Sequence, residues 1–146
     1  MNEEMKSKIY SRFDREGYFK GITWNEIDAH FNLLSKDKLF CHYCGKELLA
    51  KDTPPYRNVI SLDRIIPICD GGKNSFDNIA ICCAECNIIK GTMNAETFSK
   101  LLECLTSCGI KQEVFNQIYR GRLANKLTRL NKAKKEVSRR DLFEFA

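Results

Sequence analysis

The chain has 146 residues, of which 43% are hydrophobic and 29% are charged, as is ordinary for a globular protein. A chain of about 150 residues usually forms one domain, and no apolar run approaches the roughly 18 residues of a membrane-spanning helix. The composition therefore predicts one domain with at most an added arm, and excludes a membrane protein.

Two short helices are predicted before the first cysteine. Apolar residues recur every fourth position within residues 3–16, which favours a helix there. Thr23 and Glu26 fit a capping box, in which each side chain bonds the backbone of the other residue. This box predicts a helix from Trp24 to about Lys36.

The middle of the chain predicts an antiparallel ribbon. Residues 59–64 have the composition of a strand that starts after Pro54 and Pro55, and residues 78–82 have that of a second strand. Residues 70–74 form a turn-rich cluster between them. We expect the two strands to pair through this long loop.

Helices are predicted after the ribbon. Residues 86–90 can begin one, and Asn94 is a suitable N-cap for a second helix that ends before Gly109. A third starts at about Gln112. From Lys111 onward ten basic and four acidic residues give +6, against −1 for the first 110 residues. This segment is suited to nucleic-acid phosphates; the alternative is a solvated helix face.

The eight cysteines require an explanation other than disulfides. The charged N-terminus is not followed by an apolar signal segment, so we expect a reducing cytosol. Two Cys-x-x-Cys pairs lie on either side of the ribbon, and together they predict a closed structural zinc site; either pair alone could be a redox motif. The ligands are Cys41, Cys44, Cys83 and Cys86. The other four cysteines are expected to be buried among apolar residues, the alternative being a second zinc site; these are Cys69, Cys82, Cys104 and Cys108.

The order of motifs between the cysteine pairs resembles that of a known family. Residues 61–67 read Ser-Leu-Asp-Arg-Ile-Ile-Pro, a Gly-Gly pair follows at 71–72, and residues 77–91 contain Asp-Asn-Ile and Cys-Ala-Glu-Cys-Asn-Ile-Ile-Lys-Gly. This order is similar to that of the HNH endonucleases, which have a ββα-metal (His-Me) finger, over about residues 40–98. The resemblance implies a small ββα finger at 39–98, which contains the four-cysteine zinc site predicted above. Together with the helices predicted from the residues, it leads us to expect an α+β fold with N-terminal helices at 1–38 and a basic helical segment at 99–146.

The resemblance also implies roles for individual residues. Asp63 and Asn87 match the ligands of a catalytic divalent metal, and oxygen ligands of this kind suit Mg²⁺ or Mn²⁺. Asn78 matches the residue that pins the loop between the strands, and Lys90 matches a basic residue suited to a backbone phosphate. Considered one at a time, these are also an ordinary strand-end carboxylate, a helix N-cap, a turn asparagine and a solvated lysine.

Arg64 departs from the family pattern, because it stands where most members have the histidine that deprotonates the attacking water. Arginine has no acceptor atom and a pKa above about 12, so it cannot be a general base. Some HNH-like sequences, phage-type ones among them, carry Asp-Arg here, and Arg64 can instead clamp the scissile phosphate. The candidate bases are Tyr43, His42 and His30; their structural alternatives are a ring packed on the zinc knuckle, an exposed knuckle residue and a polar edge of a helix.

Two functions are consistent with this pattern. The first is a metal-dependent HNH endonuclease that hydrolyses phosphodiester bonds of DNA, double-stranded DNA first, with RNA as a further possibility. As the resemblance implies, its finger would enter the minor-groove side of the duplex. The charged N-terminus predicts a cytoplasmic location, in a bacterial or phage-infected cell. The second is a zinc protein of the same fold that binds nucleic acid and lost catalysis when Arg64 replaced the histidine.

Overall fold

A computed structural model describes residues 1–15, 17–53 and 57–119. The chain forms a mixed α and β structure with a small two-stranded sheet, which confirms the predicted α+β class. Its elements in chain order are α1 (Glu3–Phe13), α2 (Trp24–Phe31), β1 (Ile60–Arg64), β2 (Ile79–Cys83), α3 (Ala84–Lys90) and α4 (Ala95–Ser107). Two short 3₁₀ turns, Ile68–Asp70 and Phe76–Asn78, lie between the strands.

Both N-terminal helices form, and both end earlier than predicted. The capping box of α2 is present, with the Glu26 amide donating to Thr23 Oγ1 at 3.3 Å. The helix ends at Phe31 instead of about Lys36 because Asn32 adopts a left-handed conformation with φ of 52°. The amide of Leu34 then donates to Asp28 Oδ1 at 2.8 Å, which holds the chain in this turn. Helix α1 ends at Phe13 and not at residue 16.

The two strands pair as predicted. They form an antiparallel ribbon in which Leu62 stands opposite Ile81 and Asp63 opposite Ala80. Most strand residues are buried, since α1 and α3 both pack against β1. Asp63 is therefore a carboxylate within a covered sheet, and its surroundings decide what it can do.

The helices after the ribbon start near the predicted residues. Helix α3 begins at Ala84, two residues before the predicted start. The amide of Thr97 donates to Asn94 Oδ1 at 2.8 Å, which confirms Asn94 as the cap of α4. Residues 112–119 are helical, as expected from Gln112 onward. The remainder of the predicted basic helix lies outside the described residues.

The chain divides into two compact units, Met1–Cys104 and Leu105–Ala146. In the first unit the N-terminal segment packs on the ribbon's connecting loop through four aromatic rings, with the Phe13 and Phe76 centroids 6.2 Å apart and those of Phe19 and Phe76 4.8 Å apart. Phe13 is fully buried. The predicted boundaries at residues 38 and 98 stay a prediction. No helix in the described ranges is long and apolar enough to span a membrane.

The expectation of four buried cysteines outside the zinc site was wrong for three of them. Cys82 on β2 is buried, but Cys69, Cys104 and Cys108 are exposed. Cys69 lies in the 3₁₀ turn of the connecting loop. Cys104 lies six residues after the buried Phe98 on α4 and therefore on a different face of that helix.

Candidate metal centre and active site

The four predicted zinc ligands meet at one point. The Sγ atoms of Cys41, Cys44, Cys83 and Cys86 all lie within 4.8 Å of one another, and those of Cys44 and Cys83 are 3.8 Å apart. Sulfurs about 2.3 Å from a tetrahedral zinc ion are themselves about 3.8 Å apart. The cluster is therefore compatible with a structural metal such as zinc.

The backbone around these sulfurs is arranged to stabilise negative charge. The amides of Cys83 and Tyr43 donate to Cys41 Sγ at 3.3 and 3.4 Å, and the amide of Cys86 donates to Cys83 Sγ at 3.3 Å. The contact with Cys44 Sγ lowers the pKa of Cys41, whereas the contact with Cys41 Sγ raises the pKa of Cys86. Four crowded thiols cannot all ionise by themselves, and a divalent cation is the natural means to hold them as thiolates.

Asn78 fixes the loop that connects the two strands. Its Oδ1 accepts from the amide of Ile66 at 2.8 Å, and its Nδ2 donates to the carbonyls of Ile66 at 3.0 Å and Lys73 at 2.9 Å. Gly72 lies against the same loop, where a Cβ atom would overlap the Ile66 carbonyl. These contacts join Asn78 to two other residues of the connecting loop, and its role in the site stays a prediction.

A cavity of about 290 Å³ opens at the end of β1. Its wall contains Asp63, Arg64 and Asn87, three of the residues predicted to form the site, together with Tyr18. The rest of the wall is uncharged: Pro67, Ile68, Cys69, Gly91 and Thr92. The fold thus brings the end of a strand, the middle of α3 and a turn of the N-terminal segment to one small space.

Asp63 is buried in this wall and has two hydrogen-bond donors. Tyr43 Oη donates to Asp63 Oδ2 at 2.5 Å, and Lys90 Nζ lies 3.0 Å from Oδ2 and 3.2 Å from Oδ1. The Lys90 side chain has no exposed surface and also donates to the Arg64 carbonyl at 3.1 Å. The predicted contact of Lys90 with a backbone phosphate requires an exposed ammonium group. In the structure this group is buried and faces the Asp63 carboxylate.

Asn87 is held by its amide nitrogen. Nδ2 donates to Ser61 Oγ at 2.9 Å and to the Leu62 carbonyl at 3.1 Å. Since both bonds are made by the nitrogen, the oxygen Oδ1 is the atom available as an acceptor. Asn87 thus supplies an oriented carbonyl oxygen to the cavity.

Arg64 and Tyr18, two further residues of the wall, stack on each other. The Arg64 guanidinium lies 4.3 Å from the centroid of the Tyr18 ring, with Nε donating to Asn74 Oδ1 at 2.7 Å and Nη2 to the Gly17 carbonyl at 2.8 Å. Asn74 Nδ2 donates to the same Gly17 carbonyl. Tyr18 Oη donates to the Leu62 carbonyl at 3.4 Å, and burial raises the Tyr18 pKa. Sequence reasoning missed Tyr18, because it lies in a turn without a motif.

The comparison with protein families agrees with this geometry. Residues 41–103 match the family model described as HNH endonuclease. This segment is similar to an HNH endonuclease domain. The match covers a little under half of the chain, and it contains every residue of the cavity wall except Tyr18. A search of curated proteins found no match.

The predicted bases lie in different places in and around the matched segment. His42 lines a separate cavity of about 410 Å³ with Phe40 and Ile81, and His30 lies 3.8 Å from Asp77. These are the two histidines of the chain, and neither lines the cavity of Asp63. Tyr43 does contact Asp63, but burial and the bond to Asp63 raise its pKa, so its hydroxyl stays protonated and acts as a donor.

The donor set of the cavity fits a divalent metal. The similarity to HNH endonucleases implies such an ion, and Asp63 and Asn87 offer a carboxylate and an amide oxygen in the same wall. Both are the hard oxygen ligands that Mg²⁺ and Mn²⁺ prefer. The one unusual feature is the Lys90 ammonium beside Asp63, which already neutralises the carboxylate charge.

Proposed function

We propose that this chain is a metal-dependent endonuclease that hydrolyses phosphodiester bonds in DNA. The observation that carries the proposal is the convergence of Asp63, Asn87 and Arg64 on one small cavity within the matched HNH domain. The cavity wall contains two residues with oxygen ligands, Asp63 and Asn87, and one residue with a guanidinium group, Arg64. This combination suits the reaction centre of a phosphate ester.

In this proposal Asp63 and Asn87 hold Mg²⁺ or Mn²⁺. Such an ion, when bound, stabilises charge on the phosphoryl oxygens and lowers the pKa of a bound water. Tyr43 keeps Asp63 in place by donating to Oδ2, and the Ser61 and Leu62 acceptors keep the Asn87 oxygen directed away from the ribbon. These residues orient the ligands without taking a proton themselves.

Arg64 contributes positive charge to the scissile phosphate. Two of its N–H groups hold the loop and the N-terminal turn, and a guanidinium group has about five donors in all. The stacking on Tyr18 restricts the plane of the group, so its position is set before substrate binds. A preorganised donor of this kind stabilises charge that develops in the transition state.

The basic segment from Lys111 onward is proposed to contact the DNA backbone. Its charge of +6 supplies affinity that is independent of sequence and falls steeply with salt. The proposed setting is the cytoplasm, where the four thiols stay reduced until they bind zinc. The three-part division at residues 38 and 98 is retained as part of this proposal.

The test is an assay on supercoiled plasmid with zinc-loaded protein. Wild type should convert the plasmid to nicked and linear forms in Mg²⁺ or Mn²⁺ but not in EDTA, and Asp63→Ala should lose this activity. The matched control is Asp70→Ala, because Asp70 is an exposed carboxylate outside the cavity wall and should cleave like wild type. Cleavage that persists in EDTA or in Asp63→Ala would reject the proposal.

A second candidate is a nucleic-acid-binding zinc protein without catalysis. The observation that favours it is that the cavity wall contains no histidine. In this case wild type shifts plasmid or RNA on a gel without cutting it, and Asp63→Ala binds as tightly. Gain of cleavage in Arg64→His would then identify the histidine as the missing base.

A further inference from the structure

The Asp63 carboxylate has an internal counter-ion. The Lys90 ammonium lies 3.0 and 3.2 Å from the two carboxylate oxygens. Both side chains are buried, with exposed fractions of 0% for Lys90 and 6% for Asp63. The third contact of Lys90, with the Arg64 carbonyl at 3.1 Å, keeps the ammonium in this position. A buried pair of this kind is weakly screened by solvent.

The charged groups of the cavity wall, taken together with Lys90, sum to a positive value. Asp63 contributes −1 and Arg64 +1 from the wall, and Lys90 contributes +1 through its contact with Asp63. The net charge of these three groups is +1. Without Lys90 it would be 0, and the two oxygen ligands Asp63 and Asn87 alone would give −1. A site of this charge attracts an anion and repels a lone divalent cation.

We propose that Lys90 makes the site bind its divalent metal together with a phosphodiester and not before it. The inference rests on the proposed function. A phosphodiester group brings one negative charge to the cavity, which removes the excess positive charge before or as the cation enters. Binding free energies are reciprocal, so the metal raises the affinity for DNA by the same factor as DNA raises the affinity for the metal. Lys90 is a positioning residue in this account, because it acts through Asp63.

The experiment measures Mn²⁺ binding to the zinc-loaded full chain by electron paramagnetic resonance of the free ion, without nucleic acid. Lys90→Met keeps much of the side-chain volume and removes the charge. It should bind Mn²⁺ about tenfold more tightly than wild type, within the range of coupling known for interacting sites. The control is Lys100→Met, because Lys100 is an exposed lysine on α4 and its loss should leave the Mn²⁺ affinity unchanged. Equal affinities in Lys90→Met and wild type would overturn the inference.

A second measurement covers the case in which Lys90→Met does not fold. Wild type is titrated with Mn²⁺ in the presence of a short DNA duplex, and binding to the duplex alone is subtracted. The affinity should rise about tenfold, and a matched duplex with uncharged methylphosphonate linkages should give no rise. An unchanged affinity with the charged duplex would overturn the inference.

The two proposals fail in different ways. Plasmid cleavage by wild type with no effect of Lys90→Met on Mn²⁺ binding rejects the role of Lys90 alone. Tighter Mn²⁺ binding in Lys90→Met with no cleavage by wild type rejects the nuclease alone. Mn²⁺ binding that is the same in wild type, Lys90→Met and Asp63→Asn rejects Asp63 as a ligand and both proposals with it.

Discussion

Replacement of one cysteine of the four-sulfur cluster should remove much of the stability of the protein. Cys86 is fully buried, and its sulfur lies within 4.8 Å of the other three. Structural zinc contributes about 10 kcal/mol or more to folding, so one of four ligands accounts for about 3 kcal/mol. This loss of about 3 kcal/mol is a large part of the 5–15 kcal/mol that is typical of a folded domain.

The assay combines zinc content by mass spectrometry with thermal unfolding followed by circular dichroism. Cys86→Ser should contain much less than one zinc per chain, and its Tm should fall by more than about 10 °C. Cys104→Ser is the matched control, because Cys104 is exposed and outside the cluster, and its Tm should stay within about 2 °C of wild type. A Cys86→Ser protein with full zinc content and an unchanged Tm would refute the assignment of the cluster as a structural metal site.

Three further predictions concern the loop and the site. Asn78→Ala removes three hydrogen bonds and should lower the free energy of unfolding in urea by about 3 kcal/mol. Asn94→Ala, the control, removes one helix cap and should lower it by about 1 kcal/mol. Equal losses in the two variants would contradict the loop-pinning role of Asn78. Gly72→Ala should lower the free energy of unfolding by more than about 2 kcal/mol in the same assay, because its Cβ would overlap the Ile66 carbonyl. A loss below about 0.5 kcal/mol would contradict this close approach. The raised pKa of Tyr43 means that above pH about 10 the unfolded chain loses this proton first, so wild-type stability should fall with pH by up to about 1.4 kcal/mol per unit. Tyr43→Phe should show a smaller slope above pH 10, and an identical slope would contradict the burial of this phenol.

Local signals in the sequence predicted most of the fold correctly. The capping box of Thr23 and Glu26, the Asn94 cap and the ribbon each depend on residues close together in the chain. The cluster of four cysteines was also predictable, because a Cys-x-x-Cys pair at each end of the ribbon leaves little choice of partner. The end of α2 was not predicted, since it depends on the left-handed conformation of Asn32.

The environment of the site was less accessible to sequence reasoning. Lys90 was assigned to a phosphate contact because it matches a basic residue of the family motif, but the direction of its side chain in α3 depends on packing against β1. Tyr18 enters the cavity from a segment that has no motif, 45 residues before Asp63 in the sequence. Arg64 was predicted to act at the site from its place in the motif, whereas its bonds to Gly17 and Asn74 required the folded structure.

The central claim is that Asp63 and Asn87 together form a catalytic metal site. The most direct measurement is the rate of plasmid nicking by Asn87→Ala in saturating Mg²⁺, relative to wild type and to Asn94→Ala, with folding checked by zinc content. The account predicts a loss of at least about 100-fold for Asn87→Ala and a rate near that of wild type for Asn94→Ala. A folded, zinc-loaded Asn87→Ala protein that nicks plasmid at the wild-type rate would contradict it.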